Sequence, residues 1–202
     1  MKGNELVWRA LADAALRGER RWQNAGDLAH AAGVPSSSAY FALTRLEEIG
    51  AIARYPRGGF SVVSIEKVVT VLCAWRNLNR DTLAMTTIEA ISSLLDTSRG
   101  PYALGGPDAA NSLLGGVHVA DFHEHLVYLS PKADLNDLPD GDEVRVLAMD
   151  KRAIREWAGY SSLAQTYADL FATAGWAASE YRYALRDRYM KDREWDQESI
   201  DD

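Results

Sequence analysis

The chain has 202 residues, 47% hydrophobic and 25% charged, enough length and apolar content to bury one large or two small cores. No apolar run of about 18 residues is present to span a bilayer, and Met1–Glu5 lead into no apolar stretch with a small-residue cleavage site, so a soluble cytoplasmic protein is expected. The single cysteine, Cys73, excludes an intrachain disulfide framework, and its place beside Val68, Val69, Val71 and Leu72 makes it a buried thiol.

A first helix is expected from Glu5 to Arg17, with Leu6, Val7, Ala10, Leu11 and Ala14 on one face and Gly18 as its stop. Arg20, Arg21 and Trp22 form a short extended entry. Asn24 caps a second helix in a capping-box arrangement with Asp27, and Gly33 ends it. Val34 and Pro35 make a turn, and Ser36 is the expected N-cap of a third helix reaching Ile49. Ala39, Leu43, Leu46 and Ile49 face inward along it, which leaves Ser37, Ser38, Phe41, Thr44 and Arg45 outside. Ala51–Tyr55 and Phe60–Ile65 are β-type runs around Pro56, Arg57, Gly58 and Gly59, the pattern of a hairpin.

Ser64 caps a helix running to about Asn77, and another spans about Thr87 to Leu95. Asn77–Asp81 and Thr97–Pro101 are the best linker candidates. Beyond them the pattern predicts strands at Tyr102–Leu104, Leu126–Leu129 and Val144–Met149, a short helix opening at Gly106-Pro107-Asp108, and helices at Ser161–Thr173 and Trp176–Met190. The expected fold is α+β: an N-terminal winged helix-turn-helix, residues 1–66, then a helical connector, 67–100. A mixed α/β domain with a small sheet and flanking helices follows over 101–190, and an acidic tail over 191–202 is expected to be disordered.

The net charge of −7 argues against a nucleic-acid partner until it is divided along the chain. Residues 1–65 hold eight Lys or Arg against six Asp or Glu, a net +2, so the remainder carries −9. Salt screens charge beyond about 10 Å, so a phosphate backbone senses the local patch rather than the sum. A short helix, a Gly-Val-Pro turn and a second helix crossing on small residues let the later helix project into a major groove. At its N-terminus Ser36, Ser37 and Ser38 are placed to bond phosphate oxygens, with help from the helix dipole. Tyr40, Phe41, Thr44 and Arg45 follow on the outer face. Arg45 is the first choice for a bidentate contact to guanine, with an ion pair to Glu48 as the alternative, and Phe41 is either a packing residue or a thymine-methyl contact. No acidic residue occurs between Glu48 and Glu66, whereas Arg54 and Arg57 do, and Gly58 gives the loop freedom to approach a backbone or minor groove.

The second half shows no catalytic set. Nucleotide transfer by paired metal ions needs two carboxylates two apart on one strand, and Asp121 is followed at that spacing by His123, with Glu124 on the other face. His118, His123 and His125 have the residue type of a metal cluster but no cysteine or certain carboxylate beside them, so no metal and no cofactor are expected. Asp108 complements the dipole of its helix. No Ser-His-Asp order, phosphate loop or dinucleotide fingerprint is present, so a non-enzymatic protein is expected.

The segments Tyr102-Ala103-Leu104-Gly105-Gly106-Pro107-Asp108-Ala109-Ala110, Ala164-Gln165-Thr166-Tyr167-Ala168-Asp169-Leu170 and Trp176-Ala177-Ala178, placed after the expected winged helix, resemble the AbiEi family of type IV toxin–antitoxin antitoxins. The resemblance covers nearly the whole chain and rests on the order of its pieces. It implies a repressor that binds repeats in its own promoter and counteracts a nucleotidyltransferase toxin encoded beside it, acting as a monomer or dimer, cooperatively on DNA. By position it carries over only Ser36–Ile49 and the loop around Arg57 as DNA-contacting elements, and the acidic C-terminal half departs from a basic surface that would assist binding. The competing reading is a one-component regulator whose second domain senses a small molecule, with Trp157, Tyr160, Tyr167 and Trp176 around a pocket.

Overall fold

The structure is a computed structural model that describes residues 2–97, 100–191 and 193–195. It is α+β, and the chain divides into two compact units, residues 1–76 with 186–202, and residues 77–185. The first unit contains α1 (Gly3–Leu16), β1 (Arg21–Trp22), α2 (Ala25–Ala32), α3 (Ser36–Glu48), β2 (Ile52–Arg54), β3 (Phe60–Val62) and α4 (Ile65–Trp75). The second holds α5 (Leu78–Asp81), β4 (Thr82–Thr86), α6 (Ile88–Thr97), β5 (Tyr102–Gly105), α7 (Gly106–Leu113), β6 (His125–Leu129), β7 (Val144–Ala148), α8 (Lys151–Glu156), β8 (Gly159–Tyr160) and α9 (Leu163–Ala172). A last helix, α10 (Trp176–Tyr189), starts in the second unit, and its final turn belongs to the first. No described helix is long and apolar enough to cross a membrane.

In the first unit α2, α3 and α4 pack around α1, and Val7, Leu11, Leu28, Leu43, Leu46, Ile65 and Leu72 are fully buried. The indole of Trp8 donates to the Ala42 carbonyl at 3.0 Å, which ties α1 to α3. The sequence pattern gives α1 one apolar face, yet Glu5, Arg9 and Asp13 are buried as well. They recur one turn apart with alternating sign, the spacing at which charged side chains on a helix sit next to one another.

The tail expected to be disordered is attached where it is described. The Arg193 guanidinium donates to the Ala15 and Leu16 carbonyls, the Trp195 N–H donates to the Val63 carbonyl at 2.7 Å, and Glu194 accepts the Glu66 N–H at 2.8 Å. The last turn of α1 holds no basic residue of its own, and Arg193 supplies a cation at this negative end of the helix. Residues 192 and 196–202 lie outside the described set.

The second unit is built on a five-stranded mixed sheet in the order β4-β7-β6-β5-β8. Alternate residues of β6 feed opposite faces: Leu126 and Tyr128 join Ala103, Leu147 and Met149 on one, while Val127 and Leu129 join Val144, Val146 and Ile91 of α6 on the other. Burial on both faces is why Leu126–Leu129 reads as an unbroken apolar run.

The expected 67–100 connector is divided between the units. The helix Ile65–Trp75 packs on α1 and belongs to the first, so the boundary falls after Arg76 instead of 66. The rest of the segment supplies α5, the edge strand β4 and the covering helix α6. β4 escapes the sequence pattern because it is an edge with an irregular register between Thr82 and Ala84, which puts Leu83 in solvent. The second linker candidate includes residues 98–99, outside the described set.

Candidate nucleic-acid interface

The α2–α3 pair is built as its residues dictate. The Asn24 side chain accepts the Asp27 N–H at 2.9 Å, an N-cap worth about 1 kcal/mol, and its amide donates to the Asp27 carboxylate at 3.1 Å, a bond between side chains in place of the return bond of a capping box. Gly33 ends α2 in the left-handed conformation, φ 69°, which only glycine enters cheaply. Ser36 is not the cap of α3. Pro35 holds that position with extended backbone and no side chain caps the helix, so the amides of its first turn lack a side-chain acceptor.

Ala39, Ala42, Leu43 and Leu46 of α3 are buried, while Ile49 is only half-buried at its end. Outward stand Ser36, Ser37, Tyr40, Phe41, Thr44 and Arg45. Phe41 is 73% and Tyr40 59% exposed, so Phe41 is no packing residue of this chain. Ser38 departs from expectation: it is half-buried against Gly3, where an added Cβ would lie 3.2 Å from its hydroxyl. The Thr44 hydroxyl donates to the Tyr40 carbonyl at 3.0 Å, which turns its proton into the helix.

β1, β3 and β2 form a small antiparallel sheet, with Arg54 opposite Phe60. Paired residues project from one face, and Phe60 is buried, so Arg54 leaves the sheet toward the helices. Its guanidinium meets Glu47 at 2.7 Å, and Arg45 meets Glu48 at 3.3 Å. Each of the two arginines thus meets a carboxylate of the last turn of α3. Arg57 and Gly58 occupy the hairpin tip, closed by a bond from the Gly58 N–H to the Tyr55 carbonyl at 3.1 Å. Arg57 is exposed with no acidic partner among the described residues.

Two participants escape the sequence reading. Arg21 of β1 lies 5.9 Å from the Tyr55 ring centre, which adds a cation beside the hairpin. Glu47 is the other, since only the fold brings it to Arg54, whereas the three-residue spacing of Arg45 and Glu48 is visible in the sequence.

The second unit separates the histidines. His125 opens β6 and its Nδ1 meets the Asp108 carboxylate at 2.8 Å, in the first turn of α7. This bond, with the nearby charge of Asp108 and Glu143, raises the His125 pKa above its ordinary 6.5 against the opposing effect of burial. His118 pairs with Asp121 at 3.3 Å, and His123 lies ahead of β6, outside the strand that His125 opens. Among the described residues no three His, Cys, Asp or Glu are grouped to hold a metal ion.

Of the four aromatics expected around a pocket, Trp176 lines a cleft that Trp157, Tyr160 and Tyr167 do not border, and Tyr167 is half-buried on α9. Trp157 packs on the sheet with its ring centre 5.0 Å from that of Tyr128, and Tyr160 is exposed on the edge strand β8. Trp176 instead borders an open cleft of about 340 Å³ with Pro107, Phe122, His123 and Asp142.

Set against protein-family models, curated proteins and solved structures, the chain matches none. Its function is therefore argued from these side chains.

Proposed function

We propose that the first unit is a winged helix-turn-helix that binds double-stranded DNA, with α3 in the major groove and the β2–β3 hairpin as the wing. The observation that carries this reading is an outer face of α3 that leaves Tyr40, Phe41 and Arg45 exposed, with a hairpin whose tip bears Arg57 and whose Arg54 meets α3 at Glu47. Tyr40 and Phe41 support it, because two large exposed rings on one helix need an apolar contact such as a thymine methyl. The serine-led first turn suits a phosphate.

On this reading the chain is a cytoplasmic repressor of its own operon rather than an enzyme. The resemblance of the second half to AbiEi antitoxins supports a role against a nucleotidyltransferase toxin. The promoter site is then expected to contain inverted repeats.

The test is binding to the chain's own upstream region by gel shift at rising salt. Affinity should fall steeply with salt, and Arg57→Ala should weaken binding on all sequences while lowering the salt slope by about 1. Phe41→Ala should weaken binding without lowering stability. Absence of a shift at low salt ends the reading.

The cleft beside Trp176 favours a second reading, a regulator that senses a small molecule, since its volume falls within the range of ligand sites. A ligand-dependent rise in melting temperature, with no toxin gene adjacent, distinguishes it.

A further inference from the structure

Each acidic residue in the last turn of α3 grips one of the cations of the interface. Glu47 and Glu48 stand in the last turn of α3, at the negative end of the helix dipole, where a carboxylate is disfavoured. Neither contributes to the core: both are exposed, and each meets an arginine. The Arg54–Glu47 pair has side chains 41% and 45% exposed, and both side chains of the Arg45–Glu48 pair are 59% exposed. Pairs so open to water are worth at most about a fivefold shift in an equilibrium, so a competing anion exchanges with them readily.

We propose that Glu47 and Glu48 are internal competitors for the DNA phosphate, holding Arg54 and Arg45 neutralised until a sequence offering base contacts displaces them. The proposal rests on the DNA-binding reading and concerns the margin between specific and indiscriminate binding. On an arbitrary duplex each arginine exchanges a carboxylate for a phosphate at little gain, and the released carboxylates face the phosphates with like charge. On the cognate site a bidentate contact to guanine outweighs that cost. Arg57 has no such competitor among the described residues, so the hairpin tip makes first contact on any sequence, and the paired arginines engage only afterwards.

The test compares the full chain with its Glu47→Gln, Glu48→Gln double variant by fluorescence anisotropy, on the upstream duplex and on a shuffled duplex of equal length, across a salt series. Glutamine keeps helix propensity and length, and thermal melting of both proteins should agree closely. On the shuffled duplex the variant should bind on the order of three- to tenfold more tightly. Its salt slope there should steepen by up to about two. The upstream duplex should gain less, so the ratio between the two falls. If the variant binds both duplexes more weakly, the glutamates merely hold the arginines in position and the proposal fails. Equal binding by the two proteins overturns it as well and leaves DNA binding standing, whereas failure of both proteins to bind either duplex removes the DNA reading together with the proposal.

Discussion

The Tyr128 hydroxyl donates to the Asp169 carboxylate at 2.7 Å, joining β6 to α9 in the interior of the second unit. The other oxygen of Asp169 accepts from the Gln165 amide at 2.9 Å, and Asp169 is fully buried. A sealed carboxylate depends on its donors, because none can be replaced by water. Tyr128→Phe keeps the ring and its packing on Trp157 but removes a donor, and it should cost the second unit about 2 kcal/mol in chemical denaturation. A loss too small to resolve would mean that the bond contributes nothing beyond ring packing.

The hairpin tip contains two glycines with different reasons to be there. Gly59 has φ 86°, and a Cβ on it would stand 2.6 Å from the Trp22 carbonyl oxygen, a backbone atom that moves only with β1. Gly58 has φ 98° but open space around it. Gly58→Ala therefore suffers only the backbone penalty, about 1–2 kcal/mol. Gly59→Ala adds a steric clash and should be the more destabilising of the two in thermal melts of the full chain. The reverse order would contradict the packing of the tip against β1.

Arg193 acts on α1 from 177 positions away in sequence, through its bond to Leu16. Replacing it by alanine takes the side-chain donor from the Leu16 carbonyl and removes a cation from the negative helix end, while the Ala15 carbonyl keeps the Gly18 N–H. The expected cost to the first unit is about 1 kcal/mol, part of which Arg193→Lys restores. Equal melting curves for wild type and Arg193→Ala would show that the contact carries no stability.

His125 gives the second unit a pH dependence whose sign follows from its partner. Its folded pKa lies above 6.5, chiefly through the bond to Asp108, so the folded state binds the proton more tightly than the unfolded chain does. The resulting stabilisation is complete below the unfolded value and is lost as pH rises through the folded one. Melting temperature should therefore decline across that window more in the wild type than in Asp108→Asn. Matching profiles from about pH 5.5 to about pH 8.5 would remove the pair as the cause.

Local chemistry explains what the sequence determined unaided. The caps at Asn24 and Ser64, the αL glycine at Gly33, the Pro-Arg-Gly-Gly hairpin tip and the outward placement of Phe41, Thr44 and Arg45 all depend on neighbours within a few positions, and they stand as the residue pattern predicts. The α+β architecture and the strands Tyr102–Gly105, His125–Leu129 and Val144–Ala148 were legible for a related reason: each carries a short apolar run, unbroken over Leu126–Leu129 where both faces are buried.

Tertiary structure decided what depends on distant partners. Nothing near Glu47 in the chain announces that strand pairing will aim Arg54 at it. The pairing of His125 with Asp108, and the return of Arg193 to α1, Glu194 to Glu66 and Trp195 to Val63, likewise join groups separated in the chain. β4 was hidden because an edge strand with one shifted residue has no period to recognise. Periodicity reports which face of an element is apolar, whereas the identity of the group that meets a charged side chain follows from the packing of the whole unit.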